Sequence, residues 1–214
     1  EAITVLLLKA SGTTIDSEQK QVSKPSKYFE TGLTGTYDVE IDNKIYDIKS
    51  ASDWAFKNKF SMGFEAVVEK DVFGYKSQGY LYADTENKKF GGWIVINKST
   101  GEMCIVSPPK NDAEHRKEAL KVAEDNIKAL MENKPFERCF TDIEEKYRNK
   151  LTGNRVLDSV CSFCSFKQEC WGDKIEYLPQ QVFDSEGKPR SKSPRYYWYT
   201  HVADRGNNNE KEKE

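Results

Sequence analysis

"YDVEIDNKIYDIK", residues 37–49, alternates apolar and polar side chains around an Asp42-Asn43 pair. Asp and Asn tolerate the left-handed backbone that a two-residue hairpin turn needs. The stretch therefore predicts two short antiparallel strands. Ile41 pairs with Lys44, Glu40 with Ile45, Val39 with Tyr46, Asp38 with Asp47, and Thr36 with Lys49. Side chains alternate faces along a strand, so Tyr37, Val39, Ile41, Tyr46 and Ile48 make one buriable face. Asp38 and Asp47 then oppose each other on the polar face, with Lys49 next along it.

Opposed side chains sit ~5 Å apart at Cβ. Two carboxylates at that range repel by ~3 kcal/mol at an effective dielectric of ~20. A hairpin shaped for stability alone avoids this, and a divalent cation between the oxygens reverses the sign. Mg²⁺ or Mn²⁺ suits such hard ligands. A solvated face with the charges splayed into water also meets the spacing, and spacing alone favours that plainer reading.

Working outward, "EAITVLLLKASG" (1–12) reads as a helix stopping at Gly12, and "TTIDSEQKQVS" (13–23) as an exposed strand. Gly32 and Gly35 punctuate the approach to the hairpin. Residues 53–62 and 69–83 read as helices, and 92–97 with 102–107 as a second hairpin ended by Pro108 and Pro109. Residues 112–133 are the clearest helix, with Leu120, Ala123, Ile127 and Leu130 as a stripe and Asn111 with Glu114 as a capping box. The expected fold is one α/β domain on a mixed sheet.

With 214 residues, 37% of them hydrophobic, the chain can build a sizeable core. A net charge of −2 supplies no global basic field, which counts against a DNA-coating protein but leaves an enzyme with local basic surface. No apolar run approaches the ~20 residues of a membrane span, and the start does not read as a signal peptide. The first residue is Glu1 rather than Met, so the chain can be a fragment. The five cysteines are Cys104, Cys139, Cys161, Cys164 and Cys170. An odd, clustered set without a secretion signal points to a reducing, cytoplasmic setting and a metal site rather than disulfides.

"GTYDVEIDNKIYDIKSAS" (35–52) resembles the core of PD-(D/E)xK nucleases, in particular RecB-like and phage exonucleases. There an Asp is followed on the next strand by an acid-x-Lys, here Asp38 and then Asp47-Ile48-Lys49. "QGYLY" (78–82) resembles the Gln-x-x-x-Tyr of the helix that follows, as Gln78 and Tyr82. "CSFCSFKQECW" (161–171) resembles the C-terminal cysteines of the iron-sulfur members. Three departures stand out. Tyr37 replaces the motif's Pro, and Asp47 its more usual Glu. No cysteine precedes Cys104, so either a fragment has lost the upstream fourth ligand or Cys139 substitutes, and within this chain Cys139 is the favoured choice.

The resemblance implies a restriction-endonuclease-like mixed β-sheet core flanked by helices, with a cysteine-bound C-terminal cap. It divides the chain into a nuclease core (1–138), a cysteine cap (139–183) and a basic, aromatic tail (184–214) with a disordered end. It implies that Asp38, Asp47, the Ile48 backbone carbonyl and, at the chain start, Glu1 hold Mg²⁺ or Mn²⁺. Lys49 orients the attacking water, and Gln78 and Tyr82 hold the site and contact DNA. Cys139, Cys161, Cys164 and Cys170 hold a [4Fe-4S] cluster, with Zn²⁺ as the alternative. The implied activity is metal-dependent exonucleolytic hydrolysis of DNA, as in phage recombination or DNA processing. The rival readings are an inactive DNA-binding relative and a zinc-ribbon interaction module.

Three features fall outside the resemblance. "KPRSKSPRYYWYTH" (188–201) mixes basic and aromatic residues and reads first as a partner-binding or unstructured segment, and second as a contact for single-stranded DNA. Cys104 reads as core. His115 and His201 read as surface residues.

Overall fold

The computed structural model describes residues 1–26, 29–69, 71–132 and 138–203, with the side chains of 25–32 left outside that description. The chain forms two units, 1–134 and 135–214. The expectation of a disordered C-terminal end falls outside the described residues.

The first unit runs α1 (Ala2–Ala10), β1 (Ser17–Ser26), β2 (Phe29–Ile41), β3 (Lys44–Ala51), α2 (Asp53–Asn58), α3 (Phe64–Glu69), α4 (Tyr75–Thr85), β4 (Lys89–Asn97), β5 (Met103–Val106) and α5 (Ala113–Met131). Its strands form one mixed sheet in the order β1-β2-β3-β4-β5. Only β3 and β4 pair in parallel. Parallel neighbours need a crossover, and α2, α3 and α4 supply it. The expected class, a mixed sheet flanked by helices, is the one found.

The hairpin turn follows the local chemistry: Asp42 (φ 51°) and Asn43 (φ 58°) are both left-handed. The ladder runs as expected from Ile41↔Lys44 through Glu40↔Ile45 to Val39↔Tyr46. It ends there, short of Asp38 and Asp47, while β3 continues against β4 as far as Ala51↔Asn97.

The two-face prediction needs correction. Tyr37 Oη donates to Glu40 Oε2 at 3.0 Å, a contact that strict alternation would place on opposite faces. The phase of β2 therefore breaks around Asp38. Across β1, Gln19 has φ 49° between the pairs Glu18↔Val39 and Lys20↔Tyr37. On β3 the buried residues are Ile45, Asp47 and Ala51, while Tyr46 and Ile48 are only half-buried. A strand inside a covered sheet buries both faces, so the side predicted to be solvated is not.

Other boundaries also moved. The first predicted helix splits into α2 and a 3-10 turn over Phe60–Met62, and the second into the end of α3 and α4. Gly63 (φ 96°) and Gly74 (φ 72°) stand at the breaks. Strand β2 runs straight through Gly35. Helix α5 has no capping box: Asp112 is its N-cap without a side-chain cap bond, and its carboxylate accepts from Tyr80 Oη at 2.9 Å. Of the predicted α5 stripe, Leu130 is exposed, while Ala119 is the buried residue.

The second unit holds β6 (Asp142–Tyr147), β7 (Lys150–Leu157), α6 (Ser159–Phe163), α7 (Lys167–Trp171), β8 (Glu176–Pro179) and β9 (Tyr196–His201). Its antiparallel sheet has the order β6-β7-β9-β8. The aromatic segment first read as tail is thus an internal strand. Tyr199 is buried, donates to Glu145 Oε1 at 2.8 Å and accepts the Gln181 N–H at 2.9 Å. Glu145 is buried as well, and its Oε2 takes Asn154 Nδ2 at 2.7 Å and Thr152 Oγ1 at 2.9 Å. Those bonds offset the cost of burying a carboxylate. No helix among the described residues is long and apolar enough to cross a membrane.

Candidate active site

The site assembles where β2 and β3 part. Asp38 reaches across the gap, and its Oδ2 accepts the Ile48 backbone N–H at 2.6 Å. Its Oδ1 faces Gln19 Nε2 at 3.4 Å. Gln19 had no distinguishing signal in the sequence. It lies in a polar exposed strand, and only its left-handed backbone opposite Asp38 marks it.

Asp47 is 5% exposed. Its Oδ2 is buried without a directed hydrogen bond, although Lys49 Nζ lies 2.7 Å away. The approach has ion-pair distance but not hydrogen-bond angles. Burial pushes the Asp47 carboxyl up to about 6; Lys49 pulls against this, and the charges of Asp38 and Glu1 add to it. Glu1 is itself raised, first by partial desolvation and then by the nearby Asp38 carboxylate. Three carboxyl groups and one ammonium therefore share a neighbourhood.

Lys49 is held on three sides. Besides Asp47, its Nζ lies 3.4 Å from Gln78 Oε1 and 4.4 Å above the Tyr75 ring. Gln78 Nε2 in turn donates to Tyr82 Oη at 3.2 Å. Gln78 and Tyr82 sit one turn apart on α4, so they share a helix face. Gly35 on β2 seats the Tyr82 ring: a Cβ there would stand 2.4 Å from Tyr82 Cε1. Tyr75 was missed from sequence. It begins α4, where Asp71 Oδ1 accepts its N–H at 2.9 Å, and Phe73 stacks on it with centroids 5.7 Å apart.

The cysteines of the second unit form a separate neighbourhood. Cys161, near the start of α6, is buried, and Cys164 and Cys170 are partly buried. Burial pushes the Cys161 thiol up, and Cys164, Asp158, Cys170 and Cys139 push it further. The Cys170 thiol rises through burial, then Cys164 and Cys139. Cys139 is carried there by its neighbour: Arg138 Nε donates to the Cys170 carbonyl at 2.8 Å, and its guanidinium stacks on Trp171 at 4.2 Å. Cys104 belongs instead to the first unit, where it pairs with Val95 on β4 and packs against the core.

Among the described residues, no three His, Cys, Asp or Glu side chains converge into a ready-made cation cage. Both neighbourhoods nonetheless concentrate groups whose anionic forms oppose one another. His115 is less free than expected: it packs edge-on against Phe64 at 5.1 Å and lies 3.2 Å from Glu65 Oε1.

No family model matches the chain, and no curated protein matches it. Among solved structures it is similar to the crystal structure of a "putative exonuclease" from Eubacterium rectale, with 18% identity and a TM-score of 0.36. That alignment covers 57% of this chain and 48% of the other, so the chain spans about half the length of that neighbour.

Proposed function

We propose that this chain is a divalent-metal-dependent deoxyribonuclease of the PD-(D/E)xK type that hydrolyses DNA from its ends. The observation that carries the reading is Asp47, a buried carboxylate whose Oδ2 lacks a directed hydrogen bond, beside Lys49 and within the field of Asp38 and Glu1. A buried carboxylate oxygen whose ammonium neighbour makes no directed hydrogen bond is still costly, and a hard cation is a partner that its chemistry fits. Asp38, Asp47, the Ile48 carbonyl and Glu1 would hold Mg²⁺ or Mn²⁺. The bound ion would polarise the phosphate and lower the pKa of a water.

The chain's own groups do the rest. Burial keeps the Asp47 carboxyl protonated to higher pH than an ordinary carboxylate when no cation is bound, so the metal-free site gains its negative charge toward neutrality. Lys49 is held by the Gln78 amide and the Tyr75 face and can present its ammonium to a phosphate oxygen or to the attacking water. Gln78 and Tyr82 position Lys49. The thiols of Cys139, Cys161, Cys164 and Cys170 do not stand as a ready-made cage among the described residues; a [4Fe-4S] cluster that gathered them would supply folding free energy, with Zn²⁺ the rival occupant. An anaerobically purified iron-sulfur protein is brown, whereas a zinc protein is colourless. Reduced, metal-ligating cysteines suit the cytoplasm, and the resemblance suggests a role in phage-type recombination or DNA processing.

The test is digestion of end-labelled single- and double-stranded DNA with Mg²⁺, Mn²⁺ or EDTA. Cleavage is expected with either metal and not with EDTA. Asp47→Ala and Lys49→Ala should each slow it by at least about 100-fold, the scale of removing one charge-stabilising group. Unchanged cleavage by Asp47→Ala, or none by folded and metal-loaded wild type, overturns the proposal.

A further inference from the structure

A sheet face open to water is ordinarily polar, because alternation sends apolar residues inward. The β8–β9 face of the second unit departs from this. Tyr177 pairs with Trp198, and Pro179 with Tyr196, so by alternation these four side chains share one face. The three rings form a ladder: Tyr177 lies 5.2 Å from Tyr196 and 4.9 Å from Trp198, centroid to centroid. Tyr177 is 56% and Tyr196 55% exposed. Trp198 anchors the inner end, packed on the cluster of Leu157, Cys161, Trp171 and Ile175.

A cation stands beside the ladder. Lys167 Nζ lies 5.4 Å above the Trp198 ring. Residues 185–201 carry four basic side chains against one acid, Glu186. Lys188 pairs with Glu186, and Arg190 donates to the Phe183 carbonyl. Lys192 and Arg195, in the segment leading into β9, remain exposed with no ion pair among the described residues, but alternation turns Arg195 to the face opposite Tyr196. Glu176, the acid of β8, pairs with Tyr199 and falls on the opposite face.

We infer that this face is a binding platform for single-stranded nucleic acid, with bases stacking on Tyr177 and Tyr196 and phosphates meeting Lys167 and Lys192. Flat rings over half exposed offer π-faces to any unpaired base, and the Lys167 ammonium beside them, with the exposed Lys192 in the preceding segment, offers charge to a polyanion. A purely apolar protein partner would leave those cations unused. The inference extends the nuclease reading by giving its substrate a second contact, and it involves none of the residues assigned to cleavage.

The experiment measures fluorescence anisotropy of labelled oligo(dT) and oligo(U) with the full chain carrying Asp47→Asn, in EDTA, so that no cleavage intervenes. Saturable binding to one or both is expected, and the two arms distinguish DNA from RNA. Tyr177→Ala with Tyr196→Ala should weaken binding about 10-fold or more, the scale of losing one stacked base. Lys192→Glu should weaken it and flatten its salt dependence by about 0.7 of a log-log unit. Tyr177, Tyr196 and Lys192 are exposed, and an unchanged melting curve verifies the fold. Unaltered affinity in the aromatic variant sinks the inference, as does an absence of binding to either strand. Because binding is read without catalysis, a failed nuclease assay leaves this result standing, and the reverse also holds.

Discussion

Replacing Asp47 by Asn should stabilise the protein while removing its activity. The carboxyl rises from its ordinary 3.8 to about 6, chiefly through burial. Between those values the native state holds the proton more tightly than the unfolded chain does. Stability therefore falls as pH rises through that window. At pH 7.5 the buried charge costs about 3 kcal/mol relative to an unperturbed carboxylate, at 1.36 kcal/mol per pKa unit. At pH 5 linkage leaves roughly half of that cost, and at pH 4 only a small part of it. An isosteric Asn does not carry this cost. In EDTA, Asp47→Asn should melt roughly 10 °C above wild type at pH 7.5, with the gap shrinking steadily toward pH 4. Differential scanning calorimetry of both proteins across pH 4–7.5 measures this. Mg²⁺ should then raise the melting point of wild type more than that of the variant, because only wild type carries the full charge. A gap that stays constant with pH, or an Asn variant less stable at pH 7.5, would refute the assignment of Asp47 as a strained buried carboxylate.

Two further outcomes follow from the packing. Gly35→Ala puts a methyl group 2.4 Å from the Tyr82 ring; overpacking of this kind costs about 1–3 kcal/mol, and displacing Tyr82 should also lower the cleavage rate through Gln78 and Lys49. Urea denaturation and turnover on end-labelled DNA test the two effects together, and a variant normal in both would show that the Tyr82 ring does not position the site. Cys164→Ser should lower the melting temperature and the DNA affinity while leaving the Mg²⁺ concentration dependence of cleavage unchanged; a melting temperature equal to wild type would remove the cysteines from any stabilising role.

Much of the first unit was legible because its signals are local. The Asp42-Asn43 turn is set by which residues tolerate a left-handed backbone, and it fixes the register as far as Val39↔Tyr46. Strand β4, hairpin partner β5 and helix α5 follow from hydrophobic period and from breakers nearby in the chain. The second unit was largely illegible: β6 and β7 are polar and exposed for much of their length, and β9 looks like a tail until Tyr199 meets Glu145.

By itself the sequence determined which residues could do chemistry and in what order they come: Asp38, Asp47 and Lys49, then Gln78 and Tyr82, then the cysteines. These are short-range statements, carried by spacing within a turn, a strand pair or a helix face. Only the tertiary structure decided that Asp47 is buried, that β2 changes phase at Asp38 opposite a left-handed Gln19, that Tyr75 lies over Lys49, and that Arg138 carries Cys139 to Cys170. Burial and partner choice depend on which distant segments cover a strand, and alternation within the strand carries no record of that.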